Sequence, residues 1–242
     1  MEILAVSCVH NDIENMFRLV DAASKLDFDV VVFPGDFTDL NLPRGFTRVD
    51  VVKIIVSELE TLGKPLVCVP GSWDKDTDVY LNKKGISVHG RGKIINGIGF
   101  YGYGGARTPF NTLFEPADGE IELGLMKAYD EVKGAEAKVQ VTHMPPARTA
   151  VDRIYSGAHV GSEAVRKFIE LKKPEVSISA HIHEAKGIGD LGQTKLVNPG
   201  RLPEGSAALI SVRKGHAEAR MVGLISEVEV PVGENAVRNG QI

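Results

Sequence analysis

Four short apolar runs in this chain each end near a residue able to bind a metal ion, and that repetition constrains the fold more than any other feature. His10 follows the run over 3–6, Asp36 the run over 30–33, His143 the run over 139–141, and His181 with His183 the run over 176–179. Two imidazoles one residue apart can reach a shared polar site from a strand end and the loop after it. A carboxylate with several imidazoles suits a divalent transition metal such as zinc, iron or manganese. Singly, each residue reads as a hydrogen-bonded polar group at a strand end. With four of the chain's seven histidines placed this way, a common site is the better reading.

The chain has 242 residues, 43% of them hydrophobic, enough to bury a large core, and one two-layered β domain can reach this length. Strand and helix patterns alternate through the first half: strand over 3–6, helix over 15–26, strand over 30–33, helix over 49–62 and strand over 65–69. In the second of these helices Val51, Val52, Ile55, Val56, Leu59 and Leu62 have helical spacing. Short strands are predicted over 93–95 and 99–103, then a helix over 119–132, a strand over 138–141, a helix over 162–171 and a strand over 176–179. Strands over 185–188, 195–197, 207–212 and 217–221 follow. The order fits two face-to-face sheets with helices outside. No linker divides the chain, so one domain is expected over 1–225, with 226–242 as a weakly patterned extension or tail.

Several classes of function receive no support. The formal charge of −4 carries no specific nucleic-acid or membrane signal, and 6% aromatic residues make no base-stacking platform. Cys8 and Cys68 do not form a disulfide framework, and Cys68 sits among Leu66, Val67 and Val69 as core. The start, Met1-Glu2-Ile3-Leu4, lacks a basic region and a long apolar stretch. Neither export nor membrane anchoring is predicted from it, and a cytoplasmic location is the expectation.

The order and surroundings of the candidate ligands resemble those of the calcineurin-like metallophosphoesterases, whose pattern reads D-x-H, G-D, G-N-H-D, H and G-H-x-H. Here the stations read Cys8-Val9-His10, Gly35-Asp36, Gly71-Ser72-Trp73-Asp74, His143 and Ala180-His181-Ile182-His183. The Icc-related branch is the closer likeness, through Val88-His89-Gly90, Pro109-Phe110-Asn111-Thr112, His181-Ile182-His183-Glu184 and Asn198-Pro199-Gly200. The match runs over about 3–212. It implies a four-layer αββα sandwich of two mixed β-sheets flanked by helices. It also implies two adjacent metal sites bridged by one carboxylate, which activate water and bind phosphoryl oxygens. Transferred by position, Cys8, His10, Asp36 and His183 surround the first metal, and Asp36, His143, His181 and Ser72 the second. Asp36, with two oxygens, is the bridge, and Asp36 and His143 carry the chemistry.

Three departures from the pattern bear on activity. Cys8 stands where the family has aspartate: as thiolate it is a softer ligand suited to zinc or iron, and as thiol it is a small buried hydrophobe. Ser72 replaces an asparagine and offers a shorter, weaker ligand. Trp73 replaces the histidine that protonates the leaving group in the wider family. Indole has no titratable proton near neutral pH, so Trp73 reads as a wall of the cleft or a stacking surface, with Ser72 and Arg107 as further substrate contacts. Asp74, without its imidazole neighbour, reads as a turn or helix-capping residue. The Gly102-Tyr103-Gly104-Gly105 stretch is either a cleft-shaping element beside Arg107 or a simple turn. Arg148 is by default a surface arginine, and Asn198-Pro199-Gly200 a tight turn near the metal loops. His89, His159 and His216 lack motif support and read as solvated or locally bonded.

Two functions are consistent with these residues. One is a divergent metal-dependent phosphoesterase acting on a phosphomonoester or phosphodiester through metal-activated water, with one or two ions. Lacking an acid at Trp73, it favours good leaving groups. The other is a catalytically impaired module of the same fold that binds a phosphorylated ligand or a protein partner. The retained histidines and Asp36 favour the first; Cys8, Ser72 and Trp73 favour the second.

Overall fold

A computed structural model of the chain describes residues 1–224; the expected tail over 226–242 lies outside them. Two sheets pack face to face. The first has five strands in the order β11-β10-β1-β2-β3, from β1 (Glu2–Ala5), β2 (Val30–Phe33), β3 (Leu66–Cys68), β10 (Ser206–Arg213) and β11 (His216–Gly223). The second has six in the order β4-β5-β6-β7-β9-β8. Its strands are β4 (Gly92–Ile95), β5 (Ile98–Tyr103), β6 (Ala137–Thr142), β7 (Val176–Ile178), β8 (Gly187–Leu191) and β9 (Thr194–Asn198). The predicted αββα sandwich is therefore the observed fold.

Alternation along the strands makes the layers. Ile3, Ala5, Val30, Val32, Val67 and Val69 point between the sheets and meet Phe100, Val139, Val141, Val176, Ile178 and Val197 from the other side. The intervening Leu4, Val31, Phe33 and Leu66 turn outward. There they pack on Met16, Leu19 and Val20 of α1 (Ile13–Ala23) and on Val52, Ile55, Val56 and Leu59 of α2 (Arg48–Glu60). Beyond the second sheet, Tyr101 and Leu196 meet Ile121, Leu125 and Ala128 of α4 (Asp118–Val132) and Val165, Phe168 and Ile169 of α5 (Glu163–Lys172). All four residues of β2 are buried, as expected for a parallel strand covered on both faces.

Helix limits differ from the periodicity because caps set them. Asp12 accepts the Asn15 N–H at 3.1 Å, so α1 begins at Ile13, and the Ser24 hydroxyl turns back to the Asp21 carbonyl at 2.7 Å after its last turn. At α2 a capping box joins Thr47 and Asp50. A short helix, α3 (Asp78–Lys83), was not expected; it buries only Leu81 and so leaves no periodic apolar trace. The strand expected over 185–188 begins later: a single 3-10 turn (His183–Ala185) comes first and β8 spans Gly187–Leu191.

Pairing is parallel for β1-β2 and β2-β3, and for β5-β6, β6-β7 and β7-β9. Parallel strands joined by helical crossovers end at one edge of their sheet. The loops after β1, β2, β3, β6 and β7 are therefore neighbours, and these loops carry every candidate ligand.

Candidate metal centre

The loops continue the ladders past the strand ends. The Cys8 and His10 amides donate to the Gly35 and Asp36 carbonyls at 3.1 and 3.2 Å. The Ala180 N–H donates to the His143 carbonyl and the Leu202 N–H to the Ser7 carbonyl, each at 3.0 Å. Cys8, His10, Asp36 and His181 all have left-handed backbones, with φ of 56°, 49°, 58° and 70°. For residues with a Cβ this costs on the order of 1 kcal/mol or more each, and such strain gathers at functional sites.

The side chains fall into two groups. Cys8, His10 and His183 offer ligand atoms within 4.8 Å of one another, and Asp36, His143 and His181 do the same. Asp36 lies where the groups meet: its Oδ2 is 3.1 Å from His143 Nε2 and 3.8 Å from His10 Nε2. The Ser72 hydroxyl is 3.3 Å from Asp36 Oδ2 and 3.3 Å from His143 Nε2, and the Trp73 backbone N–H donates to Asp36 Oδ1 at 3.2 Å. His10 Nε2 and His183 Nε2 stand 3.4 Å apart. That is about the edge between two nitrogens bound at about 2.0–2.1 Å in a tetrahedral site. The donor set of sulfur, imidazole nitrogen and carboxylate oxygen at these spacings fits divalent transition metals.

Burial and mutual charge set the protonation states. Burial alone would raise the Asp36 pKa, but His143, hydrogen-bonded to it, with His10 and His181, holds the carboxyl below its usual range. Burial would lower His143; the Asp36 charge and hydrogen bond and the Pro34 carbonyl, 2.7 Å from Nδ1, outweigh it and raise the pKa. The Pro34 contact assigns the Nδ1 proton, so in the neutral ring the Nε2 lone pair faces the site. Burial first, then His143, pushes His181 down to about 4, while burial and His10 push His183 down to about 3. Cys8 is raised by burial and by Asp36 and is a neutral thiol here.

Metal affinity should therefore rise with pH. His181 and His183 are already neutral, whereas His143 and Cys8 must each lose a proton to coordinate, so binding tightens as pH climbs through the raised His143 pKa and weakens below it. Calorimetry in buffers of different ionisation enthalpy should find proton release on metal uptake; uptake without proton release at about pH 7 would exclude Cys8 as a thiolate ligand.

Two glycines let the loops approach. Gly35 has φ +100°, and a Cβ at Gly71 would lie 2.1 Å from the Asp36 backbone nitrogen and 2.2 Å from its Oδ1. Gly71→Ala should lower stability by about 1–3 kcal/mol through overpacking and reduce metal content by displacing Asp36. Unchanged metal content and melting temperature would refute the close approach.

A cavity of about 440 Å³ opens over the two groups. His10, Asp36, Ser72, His181 and His183 line its floor, and Trp73 and Arg107 also line it. Phe110, Ile154, Val160 and Ile182 complete an apolar wall; of these only Phe110 and Ile182 stood in a recognisable motif. Asp74 stands in a turn at the start of a 3-10 segment (Lys75–Thr77), but its side chain does not cap it. Its buried carboxylate accepts the Gly71, Phe37 and Thr38 amides at 2.8–3.0 Å and ties two site loops together. Arg148 pairs with Glu163, and His89, His159 and His216 are locally bonded, to Gly104 N–H, Asp152 and Glu218. Cys68 is core. Asn198 donates to the Ile182 carbonyl at 2.8 Å and so holds the loop carrying His181 and His183. Gly104 approaches Pro70 closely, where a Cβ would meet the carbonyl oxygen at 2.2 Å, so that Gly-rich stretch packs against the loop after β3.

Comparison with known proteins agrees with this geometry. The family described as calcineurin-like phosphoesterase matches residues 1–185. An uncharacterized protein of Methanocaldococcus jannaschii is 34% identical over 177 residues, 71% of this chain and 77% of its own length. A Thermus thermophilus crystal structure superposes with a TM-score of 0.69 at 21% identity, covering 93% of this chain and 99% of that one. A dimetal phosphatase from Danio rerio gives 0.63 at 10% identity, over 93% of this chain and 96% of its own. These structures share the fold. No helix among the described residues is long and apolar enough to cross a membrane.

Proposed function

The chain belongs to the calcineurin-like phosphoesterase family, and on that premise we propose that it is a metal-dependent phosphoesterase hydrolysing a small phosphate ester. The observation that carries this reading is the Asp36 carboxylate, held below its usual pKa and placed where two groups of ligand atoms meet. Cys8, His10 and His183, with Asp36, would hold one ion; Asp36, His143 and His181, with Ser72, a second, weaker one. Such ions supply Lewis acidity for the phosphoryl oxygens and activate water. The protein's part is to keep Asp36 ionised, to fix the His143 tautomer through Pro34, and to pin Asp36 Oδ1 with the Trp73 amide. Arg107, exposed at the cleft, adds a cation for the phosphate.

One observation favours the other reading, a ligand-binding module with impaired catalysis: Trp73 lines the cleft where a proton donor would be needed. Elemental analysis of the isolated protein, then hydrolysis of an aryl phosphate ester with zinc, iron and manganese added in turn, decides between them. Metal-dependent turnover supports the enzyme; bound metal without turnover supports the module.

Metal identity should follow Cys8. One sulfur and two nitrogens beside a carboxylate suit zinc or iron better than magnesium, so the isolated chain should hold at most one tight ion. Cys8→Asp should shift preference towards manganese and strengthen binding of two ions. X-ray absorption tests this directly: a two-metal centre without a metal–sulfur contact would make Cys8 a bystander.

A further inference from the structure

The cleft has two chemically different halves. Opposite the polar floor, the apolar wall comes from four separate loops: Trp73 after β3, Phe110 after β5, Ile154 and Val160 after β6, and Ile182 after β7. Phe110 is 78% exposed, yet its turn is stapled. The Glu115 carboxylate accepts the Thr108 hydroxyl at 2.6 Å, the Thr112 N–H at 2.6 Å and the Thr112 hydroxyl at 2.9 Å, while the Phe110 N–H donates to the Thr108 hydroxyl at 3.0 Å. Trp73 is fixed by its amide on Asp36 and by its carbonyl, which accepts the Thr38 hydroxyl at 3.3 Å. The strand-like pair carrying Ile154 and Val160 is held by the fully buried Asp152, which accepts the Arg148, Thr149 and Gly161 amides and contacts His159 Nδ1 at 2.6 Å. Large apolar side chains carried on backbones pinned in this way, around a polar floor, form a surface for a ligand that is apolar at one end.

The missing proton donor points the same way. With indole at the cleft wall, the departing oxygen takes no proton from position 73, which favours a weakly basic one. A phenolic oxygen, with a pKa of about 10 as in tyrosine, meets that need far better than an alkyl one. We propose that this cleft selects phosphate esters of aromatic alcohols, the ring lying against Trp73 and Phe110 with the phosphoryl group over the histidine floor. The inference rests on the phosphoesterase reading above. In the reaction, the oxygen of water bonds to phosphorus and the bond from phosphorus to the phenolic oxygen breaks. The aryloxide departs with the electron pair and takes a proton from solvent, and the proton lost by the water passes to solvent.

Binding of phenylphosphonate and methylphosphonate to the full-length, zinc-loaded chain separates ring recognition from turnover, because neither is hydrolysed. The phenyl compound should bind at least about ten-fold more tightly, the ratio one aromatic stacking contact supplies. Trp73 is the single tryptophan, so 4-nitrophenylphosphonate should quench the intrinsic fluorescence. Phe110→Ala and Trp73→Ala should each cut the phenyl-to-methyl ratio by about five-fold. Equal affinities, or an unchanged ratio in both variants, overturn the inference. In a separate arm, phenyl phosphate should be hydrolysed faster than adenosine 5′-monophosphate, whose leaving oxygen is alkyl although its base is aromatic; the reverse order also overturns it. A preserved phenyl preference with no hydrolysis of any ester keeps the aryl selectivity and overturns the phosphoesterase reading instead.

Discussion

Asp36→Ala should strip the protein of its metal at both groups and abolish any metal-dependent hydrolysis. Among the described residues, Asp36 is the one carboxylate within reach of both, 3.1 Å from His143 Nε2 and 3.8 Å from His10 Nε2. Even partners that only orient ligands are worth about 10–100-fold in metal affinity, so a shared direct ligand should cost at least about 100-fold. The loss need not come from unfolding. Without the Asp36 charge that raises it, His143 can give up its proton, and no unpaired buried charge remains. Asp36→Asn separates charge from shape, since the amide oxygen can still accept the Trp73 N–H. Both variants should remain folded by circular dichroism while losing metal by elemental analysis. Wild-type metal content in Asp36→Ala would remove Asp36 from the centre.

Trp73→His should change the rate in the opposite direction. The side chain at 73 lines the cleft and its backbone is fixed on Asp36 Oδ1, so an imidazole there would stand beside the reacting group. A well-placed general acid is typically worth about 10²–10⁴-fold, and the gain should grow as the leaving group becomes more basic. Alkyl esters should gain most, and dependence on leaving-group pKa should flatten. Asp74, buried and bonded to three loop amides, is not free to orient the new ring, which holds the gain to the lower end. A folded, metal-loaded variant with the wild-type rate across a leaving-group series would show that proton donation from position 73 does not limit the reaction.

Much of the fold was legible because its causes are local. The all-apolar β2 and the alternation in β1 announce strands buried on two faces, and Val51, Val52, Ile55, Val56 and Leu59 announce the buried stripe of α2. Where reading and structure part, the cause is a short-range contact that periodicity does not carry. Asp12 draws α1 two residues earlier, and α3 buries a single side chain.

The chemistry at the site follows a similar division. The sequence by itself determined which ligand types are available, that they sit at strand ends, and that Trp73 offers no titratable proton, because side-chain identity and strand periodicity are properties of the residue and its nearest neighbours. Only the tertiary structure decided which ligands share a group, since His10 meets His183 across 173 residues of chain and His143 meets Pro34 across 109. It also decided the protonation states, which burial and facing charges set, and the left-handed backbones of Cys8, His10, Asp36 and His181. The apolar wall is the clearest case. Trp73, Phe110, Ile154 and Val160 come from three loops without a shared pattern, and they face one cavity only because the parallel strands of two sheets end at the same edge.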